Sequence, residues 1–281
     1  MRLSSLRRPH LLSLHRIEMR KLYIIITALL LTGCGSDNVN MKKIIFLHHS
    51  TGYNIWTGNT NRYLYKITGK GDVEKYFDKH NRTHSTNYQI VERYFPKLSP
   101  YGWSNYPYDY YNIWVKNAGD DPYMEEPTLE ILTREYDVII FKHCYPGSNI
   151  KEDTGYPDIN SSEKRVENYK LQYNALKEKM KQFPGNKFIV WTPAVNTRAL
   201  MTEDEALRTK AFHDWMINEW DEKGDNIFIW DLYKHETEGG LWLADKNALS
   251  PDNSHPGREF SARMAPLFSK FIIDVIESAV D

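Results

Sequence analysis

The residues best suited to chemistry in this chain are a serine near its start and an aspartate and a histidine near its end. Ser50 follows the apolar run Lys43–Leu47 and a histidine pair, while Asp252 and His255 share one short segment. A serine hydroxyl is a weak nucleophile that needs a base to take its proton and a third group to orient that base. Ser50, His255 and Asp252 are the right types for nucleophile, base and orienting acid. They predict a serine hydrolase that works through an acyl-enzyme.

Five runs of strand length, most of them apolar, alternate with stretches of helical character. The runs are Lys43–His48, Tyr88–Tyr94, Asp137–Lys142, Lys187–Trp191 and Asn226–Asp231. Strands that are separated by crossover helices form parallel sheets with helices on both faces. We therefore predict an α/β fold, a three-layer α/β/α domain with a five-stranded parallel sheet, over residues 41–281.

The helical stretches carry signals of their own. An apolar stripe with helical spacing extends from Val166 to Phe183. Thr202 and Glu205 form a capping box, which predicts the start of the next helix. The last helix is expected to follow Pro256, with residues 252–255 forming the turn that opens it.

All candidate chemical groups stand where predicted strands end. Ser50 follows the first run, residues 143–149 follow the third, and Asp231 ends the fifth. Open α/β sheets bind ligands outside the carboxyl ends of their strands, so these groups are expected to meet at one edge. Asp231 is the rival for the role of orienting acid, although an aspartate at a strand end is also a common turn or cap residue.

The stretch from Pro96 to Met124 is rich in tyrosine and tryptophan and has no clear helix or strand pattern. A loop of this length is uncommon unless it has a function. Its rings are expected either to bind sugar rings or to cover the sheet edge with their polar tips in water. The sequence leaves both interpretations open.

Residues 1–34 have the pattern of an export signal. A basic start at Met19 precedes an apolar core that ends in Leu31-Thr32-Gly33-Cys34, which is too short for a confident membrane span. These four residues resemble the bacterial lipoprotein box, which implies lipidation of Cys34. We expect Met19 to be the true start, residues 35–40 to be a flexible tether, and the protein to be anchored in the bacterial cell envelope at the outer membrane.

Charge and cysteine content narrow the range of partners. The formal net charge is −1 and the basic residues are scattered, which gives no electrostatic basis for binding nucleic acid. Cys34 and Cys144 are the two cysteines, so no disulfide framework is predicted. Cys144 is interpreted as a small buried residue.

The segments described above resemble the SGNH (GDSL-like) hydrolase superfamily over nearly all of residues 41–281. That family has a serine block after its first strand and an Asp-x-x-His-Pro block near its end, matched here by Phe46–Gly52 and Asp252–Pro256. The serine block departs from the usual Gly-Asp-Ser, because His48 and His49 stand in place of Gly-Asp. The α/β-hydrolase elbow, Gly-x-Ser-x-Gly, fits less well because His48 takes its first glycine position.

The resemblance also implies donors for the oxyanion that forms during ester cleavage, in addition to the amide of the nucleophile itself. Gly119 is the expected glycine donor, with Gly102 second. Asn149 is the asparagine available after the third strand, although it lies further along than the family's Gly-x-Asn-Asp block. Lys142 or His143 is the alternative donor if this loop does not fold back.

Family members are esterases and lipases, and many remove acetyl groups from carbohydrates. The resemblance therefore implies a serine esterase that acts on acetylated glycans without a cofactor. A zinc site that involves His48, His49 and His143 is disfavoured, because no metal-binding motif accompanies them. The alternatives are a lipase or acyltransferase with the same triad, and an inactive SGNH-fold lipoprotein that binds glycans.

Overall fold

A five-stranded sheet lies at the centre of the fold, and all of its neighbouring strands are parallel. The computed structural model describes residues 41–102 and 106–278, so the predicted signal, Cys34, the tether and Trp103 lie outside it. The strands are β1 (Met41–His48), β2 (Asn87–Tyr94), β3 (Val138–Phe141), β4 (Lys187–Trp191) and β5 (Ile227–Trp230), in the order β2-β1-β3-β4-β5. Every predicted apolar run forms a strand.

The central strands are apolar because both of their faces are covered. On β1, Ile45 and Leu47 join one hydrophobic cluster, while Ile44 and Phe46 join a second cluster on the opposite face. This division follows from the alternation of side chains along a strand. The sheet therefore has a core on each side, as the three-layer prediction requires.

Helices form the two outer layers. One layer contains α1 (Ser50–Thr57), α3 (Asp72–His84) and α9 (Arg258–Glu277); the other contains α4 (Pro107–Tyr111), α5 (Leu129–Glu135), α6 (Val166–Lys181) and α7 (Glu203–Trp215). The short α2 (Arg62–Thr68) joins α1 to α3, and α8 (Leu232–Thr237) follows β5. The three-layer α/β/α prediction is confirmed. No helix in the described part of the chain is long and apolar enough to span a bilayer.

The segment around His255 differs from the prediction of a helical turn. Two short strands, β6 (Ala248–Ser250) and β7 (Asn253–Pro256), form an antiparallel hairpin, and α9 begins only after it. Asp252 lies in the turn between these strands. Because side chains alternate along a strand, Asn253 and His255 share one face of β7, and Ser254 takes the other.

The aromatic stretch is more ordered than the sequence suggests. It contains α4 and a π-helical turn, Asn112–Lys116. Tyr110 and Trp114 are completely buried, and Tyr106 and Tyr111 are nearly so. Tyr106, Tyr110 and Trp114 pack in the core on one face of the sheet. Because all four rings are buried, they are not available to stack on a sugar.

Candidate active site

Ser50 is the first residue of α1 and lies just beyond the carboxyl end of β1. The chain places β2 on one side of β1 and β3 on the other, so Ser50 stands at the switch point where such sheets bind ligands. The amino end of α1 carries unsatisfied backbone amides and the positive end of the helix dipole. A half-buried serine at this point is accessible and lies in a favourable environment for developing negative charge.

Gly52 allows the first turn of α1 to lie close to β1. A Cβ atom at this position would lie 2.5 Å from the Cβ atom of His48. Any larger residue would therefore push α1 away from the strand. The Ser-x-Gly spacing within the serine block fixes the position of Ser50 above the sheet.

His255 lies on β7 and has the arrangement of a general base. Its Nδ1 lies 2.6 Å from Asn253 Oδ1 and 3.4 Å from the Tyr145 hydroxyl oxygen. Because an amide oxygen only accepts, we assign the proton to Nδ1, which leaves the Nε2 lone pair to act as the base. The Tyr145 ring stands edge-on to the imidazole, with 5.1 Å between centroids, and restricts its rotation.

The serine helix packs directly against the histidine strand. Asn54 Nδ2 donates to the carbonyl oxygen of Pro256 at 3.2 Å. Asn54 lies one turn after Ser50 on the same face of α1, and Pro256 directly follows His255. The structure therefore places the predicted nucleophile and the predicted base on two elements that contact each other.

The loop after β4 holds the other face of the hairpin. The Thr197 amide donates to Ser254 Oγ at 3.0 Å, and the Thr197 hydroxyl donates to the carbonyl oxygen of Pro251 at 2.6 Å. Ser254 is buried. These contacts keep β7 in register, and they leave the Asn253 and His255 side chains on the face toward the candidate site.

Asp252 is placed differently from the expectation. Its carboxylate is exposed and accepts a 2.5 Å hydrogen bond from the Ser250 hydroxyl, which lowers the pKa of this carboxyl. The place beside Nδ1 of His255 belongs to the Asn253 amide. Sequence reasoning overlooked Asn253 because it treated residues 252–255 as a helical turn, whereas the period of a strand pairs residues two apart.

We expect Asn253→Ala to lower kcat for ester hydrolysis by about 10- to 100-fold, the usual effect of removing a group that orients a functional histidine. Asp252→Asn is expected to change it by less than about twofold, because the Asp252 carboxylate is exposed and contacts Ser250 rather than His255. Steady-state kinetics on p-nitrophenyl acetate measures both. If Asp252→Asn is the more damaging change in a folded protein, the carboxylate is the orienting acid and the hairpin turn rearranges during catalysis.

Asp231, the rival acid, is engaged elsewhere. Its Oδ1 lies 2.9 Å from His213 Nε2 and accepts from the Lys234 amide at 3.2 Å, at the start of α8. Although burial alone would raise the pKa of Asp231, hydrogen bonding to His213 lowers it. Asp231 is thus a helix cap and ion-pair partner, which is the alternative role that its position at a strand end suggested.

Gly119 precedes α5 in the chain and contacts the residue that caps this helix. Its carbonyl oxygen accepts from Thr128 Oγ1 at 2.6 Å. Burial alone would raise the pKa of the Glu130 carboxyl. Hydrogen bonding to Lys179 and to backbone amides, including that of Gly119, outweighs burial and lowers this pKa. The Gly119 amide therefore stabilises the charged form of a nearby carboxylate, and its role as an oxyanion donor stays a prediction.

Asn149 is also engaged outside the contact between α1 and β7. Its Oδ1 accepts from Asn196 Nδ2 at 3.1 Å, and its own Nδ2 faces the Leu200 carbonyl oxygen at 3.4 Å. These partners belong to the loop after β4. The Asn149 amide is thus held by the loop after β4, and its role as an oxyanion donor stays a prediction.

Lys142 is a buried cation immediately after β3. Only 1% of its surface is exposed, and the pairing of Leu47 with Phe141 continues to place it alongside His48. Its Nζ lies 2.8 Å from Cys144 Sγ and 6.0 Å from the centroid of the Trp191 ring. A buried ammonium next to the end of β1 brings positive potential to the region of Ser50.

Burial and this charge together lower the pKa of three nearby histidines. Burial, followed by the charge of Lys142, lowers the pKa of both His49 and His143 to about 3. The same two causes lower the pKa of His255 below its usual value. All three imidazoles are therefore neutral at pH 7, the form in which His255 can accept a proton.

Within residues 41–102 and 106–278, no three His, Cys, Asp or Glu side chains are arranged to hold a metal ion. His143 instead lies with its Nδ1 3.2 Å from the Tyr173 hydroxyl oxygen, in the core beneath α6.

Comparison with known proteins gives a likeness to solved structures and none to a family or a curated sequence. No family model matches the sequence, and no curated protein matches it. A solved structure that resembles the chain is that of a carbohydrate esterase family 2 enzyme with a carbohydrate binding domain from Corynascus thermopiles (Myceliophthora fergusii). The identity is 11%, the TM-score is 0.43, and the match covers 87% of this chain and 69% of the other. At this identity no residue role can be transferred, and the function is argued from the residues of the site.

Proposed function

We propose that this protein is a serine esterase that removes acetyl groups from glycans. The observation that carries the proposal is the contact between the helix that begins with Ser50 and the strand that carries His255. The resemblance of Phe46–Gly52 and Asp252–Pro256 to the two SGNH blocks supports the same reaction. The choice of acetylated glycans as the substrate rests on this resemblance.

The reaction follows the usual course of acyl transfer to serine. Nε2 of His255 takes the hydroxyl proton of Ser50 while Oγ attacks the ester carbonyl carbon. The bond to the sugar oxygen breaks, and His255 gives its proton to the departing hydroxyl. A water molecule, deprotonated by His255, then attacks the acetyl-serine, releasing acetate and restoring Ser50.

Two features of the site favour the negatively charged tetrahedral intermediate. The first amides of α1 and the positive end of its dipole lie at Ser50. Lys142 adds a full positive charge in a buried position, where electrostatic interactions are stronger than in water. Gly119 and Asn149 stay the predicted further donors.

The acid limb of the pH profile of kcat/KM is expected to fall below pH 6.5. The reason is that burial and the Lys142 charge lower the pKa of His255, so the free base persists to lower pH. Lys142→Met removes the charge, which favours the imidazolium and moves this limb toward higher pH. Lys187→Met is the matched control, because Lys187 begins β4 at the opposite edge of the sheet. An unmoved acid limb in a folded Lys142→Met protein would contradict the assignment of the limb to His255.

The acyl and alcohol parts of the proposal have a direct test. The purified full chain is incubated with acetylated oligosaccharides and with p-nitrophenyl esters of acetate, octanoate and palmitate, and the released acid is measured. We expect acetate release from the sugar esters and little turnover of the long-chain esters. Preference for palmitate would favour the lipase alternative, and no turnover of any ester would favour the glycan-binding alternative.

The membrane anchor is a separate proposal, because Cys34 lies outside the described residues. It rests on the sequence Leu31-Thr32-Gly33-Cys34 alone. Two acyl signals are needed for stable anchoring, and a lipidated cysteine would supply them. Sedimentation of the wild type with membranes and release of Cys34→Ser would support it, whereas a Cys34→Ser protein that still sediments would refute it.

A further inference from the structure

Three tyrosines and a carboxylate lie on the β2 side of Ser50. Tyr53 lies one turn along α1 from Ser50, Tyr65 lies on α2, and Tyr94 ends β2. The Tyr53 ring centroid lies 5.8 Å from that of Tyr65 and 6.2 Å from that of Tyr94. We call Tyr53, Tyr65, Tyr94 and Glu92 the tyrosine cluster.

The cluster adjoins the nucleophile through the two histidines that precede it. The Tyr94 ring centroid lies 5.6 Å from that of His49 and 5.7 Å from that of His48. Tyr94 pairs with His48 across β1 and β2, so it lies at the same edge of the sheet as Ser50. It also keeps 46% of its surface exposed, which makes the ring available to a ligand.

Glu92 adds a hydrogen-bond acceptor next to the rings. Its Oε2 lies 3.1 Å from His48 Nε2, and about a fifth of its side chain (21%) is exposed. Burial, followed by the charge of Glu92, raises the pKa of Tyr65 to about 12 and raises that of Tyr94 as well. The phenols therefore keep their protons at neutral pH and can donate hydrogen bonds beside an acceptor.

This combination matches one chemical class of ligand. Sugar rings present C–H faces that pack on aromatic rings and hydroxyls that bond to carboxylates and phenols. An alkyl chain in the same place would displace water from the Glu92 carboxylate. It could not replace the lost hydrogen bonds, so its binding would be unfavourable. The cluster plays no part in the acyl-transfer steps, so it is free to hold the part of the substrate that does not react.

We propose that the tyrosine cluster is the subsite for a pyranose ring in the alcohol part of the ester, an inference that rests on the proposed function. The ring stacks on Tyr94 and Tyr53, and Glu92 accepts hydrogen bonds from its hydroxyls. The acetyl group then projects toward Ser50. This assignment gives sugar recognition to residues outside the aromatic stretch 96–124.

The test compares two substrates in three proteins. The ratio of kcat/KM for an acetylated cello-oligosaccharide to that for p-nitrophenyl acetate is measured in the wild type, Tyr94→Ala and Tyr88→Ala. Loss of the stacking ring is expected to lower this ratio about tenfold in Tyr94→Ala. Tyr88 lies on the same strand at the other edge of the sheet, so Tyr88→Ala should keep the wild-type ratio. An unchanged ratio in folded Tyr94→Ala would overturn the proposal.

A binding measurement separates the subsite from the esterase. The full chain and Tyr94→Ala are applied to an immobilised panel of non-acetylated pyranose oligosaccharides, on which no ester can be cleaved. Binding by the wild type that is lost in Tyr94→Ala supports the subsite even if no ester is hydrolysed. No binding by the wild type to any member of the panel, or equal binding by both proteins, would overturn it.

Discussion

Ser50→Ala is expected to abolish ester hydrolysis, with a fall in kcat of about 10⁴-fold or more, which is the scale seen when a serine nucleophile is removed. The thermal midpoint should stay close to that of the wild type. Ser50 is half-buried at the first position of α1, and alanine is the best helix former. Initial rates on p-nitrophenyl acetate and thermal denaturation by circular dichroism measure the two quantities.

The matched control for this change is Ser250→Ala. Ser250 is a half-buried serine on β6, and its hydroxyl donates to Asp252 rather than to the histidine. Its loss should leave most of the activity in place. Full activity in Ser50→Ala, or equal loss in both variants, would rule out Ser50 as the nucleophile.

His255→Ala is expected to lower kcat by about 10³-fold or more, because the hydroxyl of Ser50 then has no base to accept its proton. Nucleophile and base act as one unit, so the double variant should be scarcely slower than Ser50→Ala alone. This lack of additivity is measured by a double-mutant cycle on kcat. The imidazole is half-buried and bonded to Asn253 and Tyr145, so the thermal midpoint of each variant is recorded alongside.

Two results would contradict the role of His255. One is a fall in kcat of less than about tenfold in a folded His255→Ala protein, which would be too small for the loss of a general base. The other is a double variant whose loss equals the product of the two single losses, because independent residues give additive free energies.

The fold could be predicted because its strongest signals are local and periodic. The four strands β1, β3, β4 and β5 are mainly apolar runs, as expected for strands that are covered on both faces. The stripe that begins at Val166 is buried along one face of α6, and the Thr202–Glu205 capping box is present at the start of α7. Interactions between residues close together in the sequence are sufficient to predict these elements.

The hairpin that carries His255 could not be predicted in the same way. Its strands, β6 and β7, contain only a few residues each, which is too short to show a period. In a helical turn, Asp252 and His255 would lie on the same face of the helix. In a strand, His255 shares its face with Asn253 instead. The partner of the base therefore depended on a local structure that the sequence leaves open.

The burial of Lys142 could not be predicted from the sequence. A lysine after an apolar run normally marks the point where a strand meets solvent. Here neighbouring strands and loops cover it, and its charge acts on His49, His143 and His255. The burial of aromatic residues is equally hard to predict from the sequence. Trp114 is buried, while Tyr94 is partly exposed beside Ser50. Burial is a property of the tertiary structure, and the residue type alone does not give it.

The central claim is that Ser50 is an activated nucleophile, and covalent labelling tests it most directly. The full chain, Ser50→Ala and His255→Ala are treated with a fluorophosphonate probe at pH 7.5, and the site of labelling is mapped by peptide mass spectrometry. We predict one adduct on Ser50 in the wild type, none in Ser50→Ala, and a strongly slowed reaction in His255→Ala. Absence of an adduct in the folded wild type, or an adduct on another residue that persists in Ser50→Ala, would contradict the account.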